Sequence, residues 1–185
     1  MIELLDKNIL KVLTIFSLSP GSRLKRNLIK EKTAIPNIVL DKTLSSLINF
    51  KIIIKENSFF VLNYKNEKIK EIILPIQENY AKLKQLPLKE YFIISDIKTE
   101  LSKTKYLEDV YLFGSYAKLI FKENSDIDIA IISNKINKEN LSKIIRKLEK
   151  KHKKKIELHY FSKDFYKNKR DSLVKEILQH GTKLI

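Results

Sequence analysis

Residues 112–130 read LFGSYAKLIFKENSDIDIA, and this stretch decides the fold of the second half of the chain. An apolar run lies at each end of it: residues 109–113 (DVYLF) precede Gly114, and residues 127–133 (IDIAIIS) follow the polar loop. Short runs of β-branched and aromatic residues bounded by glycine, serine and asparagine are typical of strands. The stretch therefore predicts two strands with a turn and a short helix between them.

The pair Gly114–Ser115 stands at the predicted turn. Gly114 is one of only three glycines, so we expect it where the backbone geometry requires glycine. A tight strand-to-helix turn presents free N–H groups that can bind phosphate oxygens, although an ordinary turn would also explain Gly114 taken alone. We expect Ser115 to cap the following helix with its hydroxyl. Since no G-x-S-x-G motif surrounds Ser115, a hydrolase nucleophile is disfavoured.

Asp126 and Asp128 flank Ile127 where the second strand is predicted to begin. Side chains at positions i and i+2 of a strand point to the same face, and aspartate is disfavoured in strands. Two such carboxylates repel each other unless a cation lies between them, and Mg²⁺ prefers oxygen ligands and substrate phosphates. The pair therefore predicts a magnesium site. The alternative is a solvated strand end with Asp126 in a loop.

Residues 155–161 (KIELHYF) alternate as a third strand, with Glu157 and His159 on one face. If this strand neighbours the aspartate strand, Glu157 reaches the metal ions or acts as general base toward an acceptor hydroxyl. Otherwise Glu157 is an outward residue of an edge strand, paired with a nearby lysine. We expect His159 to be a strand residue rather than a ligand.

The Gly114–Ser115 turn followed by Asp126 and Asp128 resembles the signature of the DNA-polymerase-beta-like nucleotidyltransferase superfamily. It is most similar to the minimal prokaryotic branch, which includes nucleotidyltransferase antitoxins and small proteins with an N-terminal winged helix. The resemblance implies that Gly114 and Ser115 bind a nucleoside triphosphate, and that Asp126, Asp128 and Glu157 bind Mg²⁺ and carry out catalysis. The implied reaction moves a nucleoside monophosphate, AMP from ATP, onto a hydroxyl acceptor.

The same resemblance implies that the acceptor is a toxin protein of the HEPN fold, a small molecule or RNA. Two competing hypotheses stay open: a DNA-binding transcriptional regulator whose transferase domain is inactive and only binds nucleotide, and an antitoxin that acts by binding alone. The family often has Arg-Gly where this chain has Lys118 and Leu119.

The first 63 residues show three helical patterns followed by two strand-like runs, at residues 3–17, 23–32, 37–50, 51–55 and 59–63. Three helices and a hairpin predict a winged helix-turn-helix. In the third helix, Ile38 is expected to face inward with Leu40, Leu44, Leu47 and Ile48.

The third helix would be the recognition helix of this winged helix-turn-helix. Its candidate DNA-binding residues are Asn37, Lys42 and Ser45, with Lys55 on the wing. Because Asp41 stands beside Lys42, the helix is not strongly basic, and winged helices also dock proteins. Both DNA and a protein therefore remain candidate partners.

Three segments are predicted along the chain. Residues 1–63 form the winged helix-turn-helix, residues 64–86 a helical connector interrupted by Pro75, and residues 87–185 the nucleotidyltransferase domain. Further helices are predicted over residues 87–103, 138–151 and 172–179, the last capped by Gly181. The predicted fold class is α+β, with a small mixed sheet covered by helices.

The composition excludes several function classes. The chain has no cysteine and only three histidines, so disulfides, thiolate chemistry and a histidine-built zinc site are disfavoured. No signal peptide or membrane segment is predicted, which favours the cytoplasm. The net charge of +15 would attract ATP, nucleic acid or an acidic protein, but lysines that serve only solubility explain it equally well. The lysine-rich residues 150–155 either form a solvated helix end, where lysines favour the helix dipole, or attract phosphate, RNA or an acidic partner.

Overall fold

The computed structural model describes residues 6–83 and 86–185. The chain divides into two compact units, Met1–Phe92 and Ile93–Ile185, and the boundary falls inside helix α5 (Leu88–Ser102). Both units combine helices with a sheet, so the α+β prediction is confirmed. None of the helices in the described ranges has both the length and the apolar character that a membrane span requires. Residues 3–5, the predicted start of the first helix, lie outside the described residues.

The first unit contains the three predicted helices and the two predicted strands. Its elements are α1 (Lys7–Leu18), β1 (Leu24–Lys25), α2 (Arg26–Thr33), α3 (Asn37–Asn49), β2 (Ile53–Glu56), β3 (Phe59–Leu62) and α4 (Ile69–Ala81). The predicted second helix begins later than expected, because Leu24 and Lys25 pair with β3 as a short strand. The resulting antiparallel sheet has the order β1-β3-β2.

Helix α3 buries one face and exposes the other. Leu40, Leu44 and Leu47 are buried at helical spacing. The prediction that Ile38 faces inward is wrong, since its side chain is 74% exposed. Ile38 stands two positions before Leu40, which places it about 200° away around a helix of 3.6 residues per turn.

Helix α4 runs without interruption through Pro75, so the predicted break at this residue is wrong. Proline in a helix interior costs about 3 kcal/mol. Ile73 precedes Pro75 and Ile76 follows it, and both side chains are buried. Burial of each such side chain stabilises the fold by about 1.5–3 kcal/mol. The side-chain amide of Gln77 also donates a hydrogen bond to the Ser17 carbonyl, which ties α4 to the end of α1.

The second unit is built around a four-stranded mixed sheet with the order β6-β5-β4-β7. Its elements are β4 (Asp109–Phe113), α6 (Gly114–Ala117), β5 (Ile127–Ile132), α7 (Lys138–His152), β6 (Ile156–Phe161), a 3₁₀ turn (Lys163–Tyr166), α8 (Ser172–His180) and β7 (Thr182–Lys183). Strand β5 is antiparallel to β4 and parallel to β6. A parallel pair needs a long crossover, and α7 supplies it.

Strand β5 lies inside this sheet, with Ile129 and Ile131 fully buried on one face. On the other face, Ala130 and Ile132 belong to an apolar cluster completed by Phe113 of β4, by Phe165 of the 3₁₀ turn, and by Val174 and Ile177 of α8. Asp128 shares this second face because it lies two residues before Ala130. Its carboxylate therefore stands at the end of a hydrophobic face.

Gly181 ends α8, as predicted, and its N–H donates to the Ile177 carbonyl at 2.9 Å. A Cβ atom at this position would lie 2.4 Å from the same carbonyl oxygen, so only glycine fits. The chain then enters β7 directly and pairs with Tyr111 and Leu112 of β4.

Candidate active site

The turn at Gly114 joins β4 to α6 with no intervening residue. Gly114 has a φ of +66°, which disfavours any other residue. In addition, a Cβ atom there would lie 2.1 Å from Oδ2 of Asp128. Glycine is therefore required for two independent reasons, and the second is that the Asp128 carboxylate lies against the backbone of the turn.

Ser115 does not cap the helix, so that prediction is wrong. Because the turn is so tight, α6 begins at Gly114 itself, its N-cap is Phe113, and no side chain makes the cap hydrogen bond. Ser115 is instead the second residue of the helix, with a half-buried side chain. Its carbonyl accepts a hydrogen bond from the Ile120 N–H at 3.0 Å.

The two residues at the family's Arg-Gly positions have separate structural roles. Leu119 has a φ of +61°, the left-handed conformation that glycine adopts without strain. The Lys118 Nζ lies 2.7 Å from Oε1 of Glu176 in α8. Although leucine stands at residue 119 in place of glycine, the backbone there has the conformation typical of glycine. Lys118 links the turn to α8 through its ion pair.

The strand register brings the predicted carboxylates together. Asp128 is paired with Phe113 on one side and with Glu157 on the other. Asp128, Glu157 and His159 each offer one atom that could bind a metal, and these three atoms lie within 4.8 Å of one another. His159 is a half-buried residue of β6, and it shares a face with Glu157, as predicted, because it lies two residues further along the strand.

The electrostatics of this group favour a cation. Burial is the largest cause of the raised pKa of Asp128, and the negative charges of Glu157, Asp126 and Glu176 raise that pKa further. His159 alone acts in the opposite direction. A carboxylate whose pKa is raised by burial and by neighbouring negative charges is stabilised in its charged form by a bound cation.

Asp126 lies in the loop just before β5 and forms an ion pair with a lysine. The Lys155 Nζ is 2.6 Å from Oδ2 of Asp126 and 3.7 Å from Oε2 of Glu157. Among the described residues, the close group of candidate ligands contains Asp128 and Glu157 but not Asp126. Asp126 remains near enough to act on the pKa of Asp128.

The predicted DNA-binding residues all lie on the surface of the first unit. Asn37, Lys42 and Ser45 are exposed on α3, and Lys55 is exposed on β2. The Arg26 guanidinium contacts Asn37, donating to its Oδ1 at 3.3 Å, and donates two hydrogen bonds to the Asp41 carboxylate, at 2.7 and 2.9 Å.

Comparison with known families gives one match. Residues 95–185 match the family described as "Polymerase beta, Nucleotidyltransferase". The matched range contains the turn at Gly114, both aspartates and the strand that carries Glu157 and His159. A comparison with curated proteins gave no match.

Two solved structures of toxin–antitoxin proteins are similar to part of the chain. A mutant of the toxin–antitoxin MntA–HpeT is 22% identical, with a TM-score of 0.38, over 50% of this chain and 72% of that one. A toxin–antitoxin with AMP-PNP is 24% identical, with a TM-score of 0.38, over 49% of this chain and 71% of that one.

Proposed function

We propose that the second unit is a magnesium-dependent nucleotidyltransferase that moves AMP from ATP onto a hydroxyl acceptor. One observation supports this most strongly: the Asp128 carboxylate lies against the Gly114 turn and beside Glu157, inside the range that matches the nucleotidyltransferase family. A backbone turn that can bind phosphate therefore lies next to carboxylates that can bind cations, at one end of the sheet.

The donor set fits Mg²⁺. Carboxylate oxygens are the ligands that this hard cation prefers. Burial raises the pKa of Asp128, and the neighbouring carboxylates raise it further, so a cation there would stabilise the charged form. We assign Asp126, Asp128 and Glu157 as the metal-binding residues. When bound, two Mg²⁺ ions would polarise the acceptor oxygen and neutralise the triphosphate and the leaving pyrophosphate.

The residues of the chain would then act on the nucleotide and the acceptor. The first N–H groups of α6 have no acceptor within the helix, so Gly114 and Ser115 can bind the triphosphate through them and through the serine hydroxyl. The acceptor oxygen bonds to the α-phosphorus while the bond from that phosphorus to pyrophosphate breaks. Glu157 either completes the metal site or takes the proton of the acceptor hydroxyl.

The resemblance of the sequence to nucleotidyltransferase antitoxins makes a HEPN-type toxin protein the first acceptor to test. RNA and small molecules are the other acceptor classes. The test incubates purified protein with host lysate, Mg²⁺ and ATP labelled at the α-phosphate, with equally labelled CTP, GTP and UTP in parallel. The labelled product identifies the acceptor, and the preferred label identifies the nucleotide.

The matched variants are Asp128→Asn and Asp164→Asn, which remove the same charge. Asp164 is 74% exposed and forms a surface ion pair with Lys167, so Asp164→Asn should transfer label as the wild type does. Asp128→Asn and the double variant Asp126→Ala/Asp128→Ala should transfer none. Equal transfer by Asp128→Asn and wild type would refute the assignment of the site.

For the first unit we propose a winged helix-turn-helix with α3 as its recognition helix. The support is the order of α1, α2 and α3 before the β2–β3 hairpin, together with β1 as a third strand. A DNA-binding regulator with an inactive transferase domain is the second candidate function, favoured by the exposure of Asn37, Lys42, Ser45 and Lys55.

DNA binding can be tested separately from transfer. Lys42→Ala and Lys55→Ala should each weaken retention of host genomic fragments and reduce its salt dependence, because each removes a candidate phosphate contact. Retention of specific fragments by a protein that binds Mg-ATP but transfers no label would favour the regulator. If neither variant changes retention, α3 and the wing are not the DNA surface.

A further inference from the structure

The Lys155 ammonium stands between two carboxylates of the candidate site. Its Nζ is 2.6 Å from Oδ2 of Asp126 and 3.7 Å from Oε2 of Glu157. Both acids are metal-binding residues in the proposed function. Lys155 therefore neutralises negative charge that a metal ion would otherwise neutralise.

The strand register fixes this arrangement. Ile127 of β5 is paired with Ile156 of the parallel strand β6, and the Ile127 N–H donates to the Lys155 carbonyl at 3.0 Å. The residues just before the two strands, Asp126 and Lys155, therefore lie side by side. One pair further along, Asp128 lies beside Glu157.

The contact is also easily reversed. The Lys155 side chain is 64% exposed, so its ammonium is held by the carboxylates rather than by packing. A lysine has a flexible four-carbon stem and a strongly hydrated charge. It can leave the carboxylates for solvent, or for another anion, without disturbing either strand.

We propose that Lys155 is an internal counter-cation that a divalent metal ion must displace, and that it thereby selects the metal–nucleotide complex over the free metal ion. The inference rests on the proposed function, since it requires the carboxylates to be metal ligands. A free divalent ion brings a charge of about +2 and loses affinity because it competes with the lysine. A metal–nucleoside triphosphate complex brings net negative charge, so the displaced ammonium gains a phosphate partner.

The test measures binding of Mn²⁺ alone to the full chain, using the electron paramagnetic resonance signal of the free ion. Lys155→Met should bind Mn²⁺ about three- to fivefold more tightly than wild type, the upper part of the range expected when a solvent-exposed ion pair no longer competes. The ratio should approach one as salt rises, because exposed charges are screened. Binding of Mg-ATP, measured by calorimetry, should not tighten in the same variant.

Lys154→Met is the matched control, since it removes the same charge one residue away. The Lys154 ammonium donates to the Glu123 carbonyl and lies 5.7 Å from the centre of the Tyr116 ring, so it does not compete for the carboxylates. We expect its Mn²⁺ affinity to stay within about twofold of wild type.

The outcomes separate this inference from the proposed function. Equal Mn²⁺ affinity of wild type and Lys155→Met, or equal tightening in Lys154→Met, overturns the role of Lys155 and leaves the transferase standing. Tighter binding of Mg-ATP by Lys155→Met overturns the selectivity. Failure of both wild type and Lys155→Met to bind either Mn²⁺ or Mg-ATP removes the metal site, and the proposed function with it.

Discussion

Replacing Gly114 with alanine tests the central contact of the candidate site. The substitution adds a single Cβ atom, and that atom would lie 2.1 Å from Oδ2, 3.0 Å from Cγ and 3.3 Å from Cβ of Asp128. The Asp128 side chain must move by roughly 1 Å to restore normal contact distances. Gly114→Ala therefore displaces a proposed metal ligand without altering its chemistry.

The expected cost in stability has two parts. Alanine at a φ of +66° costs about 1–2 kcal/mol, and forcing the aspartate away from its preferred rotamer adds about 0.5–1.5 kcal/mol. Gly21→Ala is the matched control, because Gly21 has a φ of +84° and a Cβ there meets nothing within 4 Å. Only the backbone part applies to Gly21→Ala, so Gly114→Ala should be the more destabilising by about 1 kcal/mol.

The effect on activity should be larger than the effect on stability. A misplacement of about 1 Å in a catalytic group can lower the rate about 100-fold, so Gly114→Ala should lose transfer of labelled nucleotide while Gly21→Ala retains it. Urea unfolding followed by circular dichroism gives the free energies, and the labelled-ATP assay gives the rates. If both variants unfold with equal free energy and transfer at wild-type rates, the contact between Gly114 and Asp128 is not part of the site.

Two other substitutions test the surroundings of the site. Leu119→Gly should leave the free energy of unfolding nearly unchanged or raise it, because relief of the left-handed backbone strain, about 1–2 kcal/mol, offsets the entropy cost of ordering glycine. Leu178→Gly is the control: Leu178 lies in α8 and is equally exposed, at 39%, and its replacement should cost about 1 kcal/mol or more. Equal losses of both variants in urea unfolding would contradict this reasoning. Burial would raise the pKa of Asp109, but hydrogen bonds from Lys183 and Tyr166 and the charge of Lys183 hold it below its usual value. Asp109→Asn should therefore cost about 1 kcal/mol at neutral pH. Its difference from wild type should shrink progressively as the pH falls below about 4, because the stabilisation of a lowered pKa is lost as the pH falls through the folded-state pKa. A difference of the same size at neutral and acid pH would refute the role of this pair.

The elements that sequence patterns predicted well are those with uninterrupted apolar runs and clear boundaries. Strand β4 has the predicted bounds, Asp109–Phe113, and β5, α7 and β6 agree within one residue at each end. Each of these runs is buried enough for the hydrophobic pattern to reflect the final structure. Gly114 was also predictable, because a chain with three glycines retains them where the backbone requires them.

The errors arose where local patterns are overruled by tertiary contacts. Pro75 stays inside α4 because buried isoleucines on both sides stabilise the helix, and the chain at residue 24 is recruited into a strand by β3. Ser115 lies two residues past the N-cap position, Phe113, because β4 passes into α6 at Gly114 with no intervening residue. The pairing of Asp126 with Lys155 depends on strand order and register, which one sequence does not reveal.

The distribution of charge explains why a metal–nucleotide complex suits this site better than either component alone. The chain carries a net charge of +15, yet Asp126 and Glu157 lie near Asp128 at one end of the sheet, where burial and then these two charges raise the pKa of Asp128. The overall positive field attracts an anion, whereas the local carboxylates attract a cation. A triphosphate that carries its own divalent ion would satisfy both, with its metal at the carboxylates and its phosphates at the α6 turn and Lys155. The apposition of the Gly114 turn and the carboxylates in a basic protein therefore supports the proposed metal–nucleotide substrate over a free metal ion.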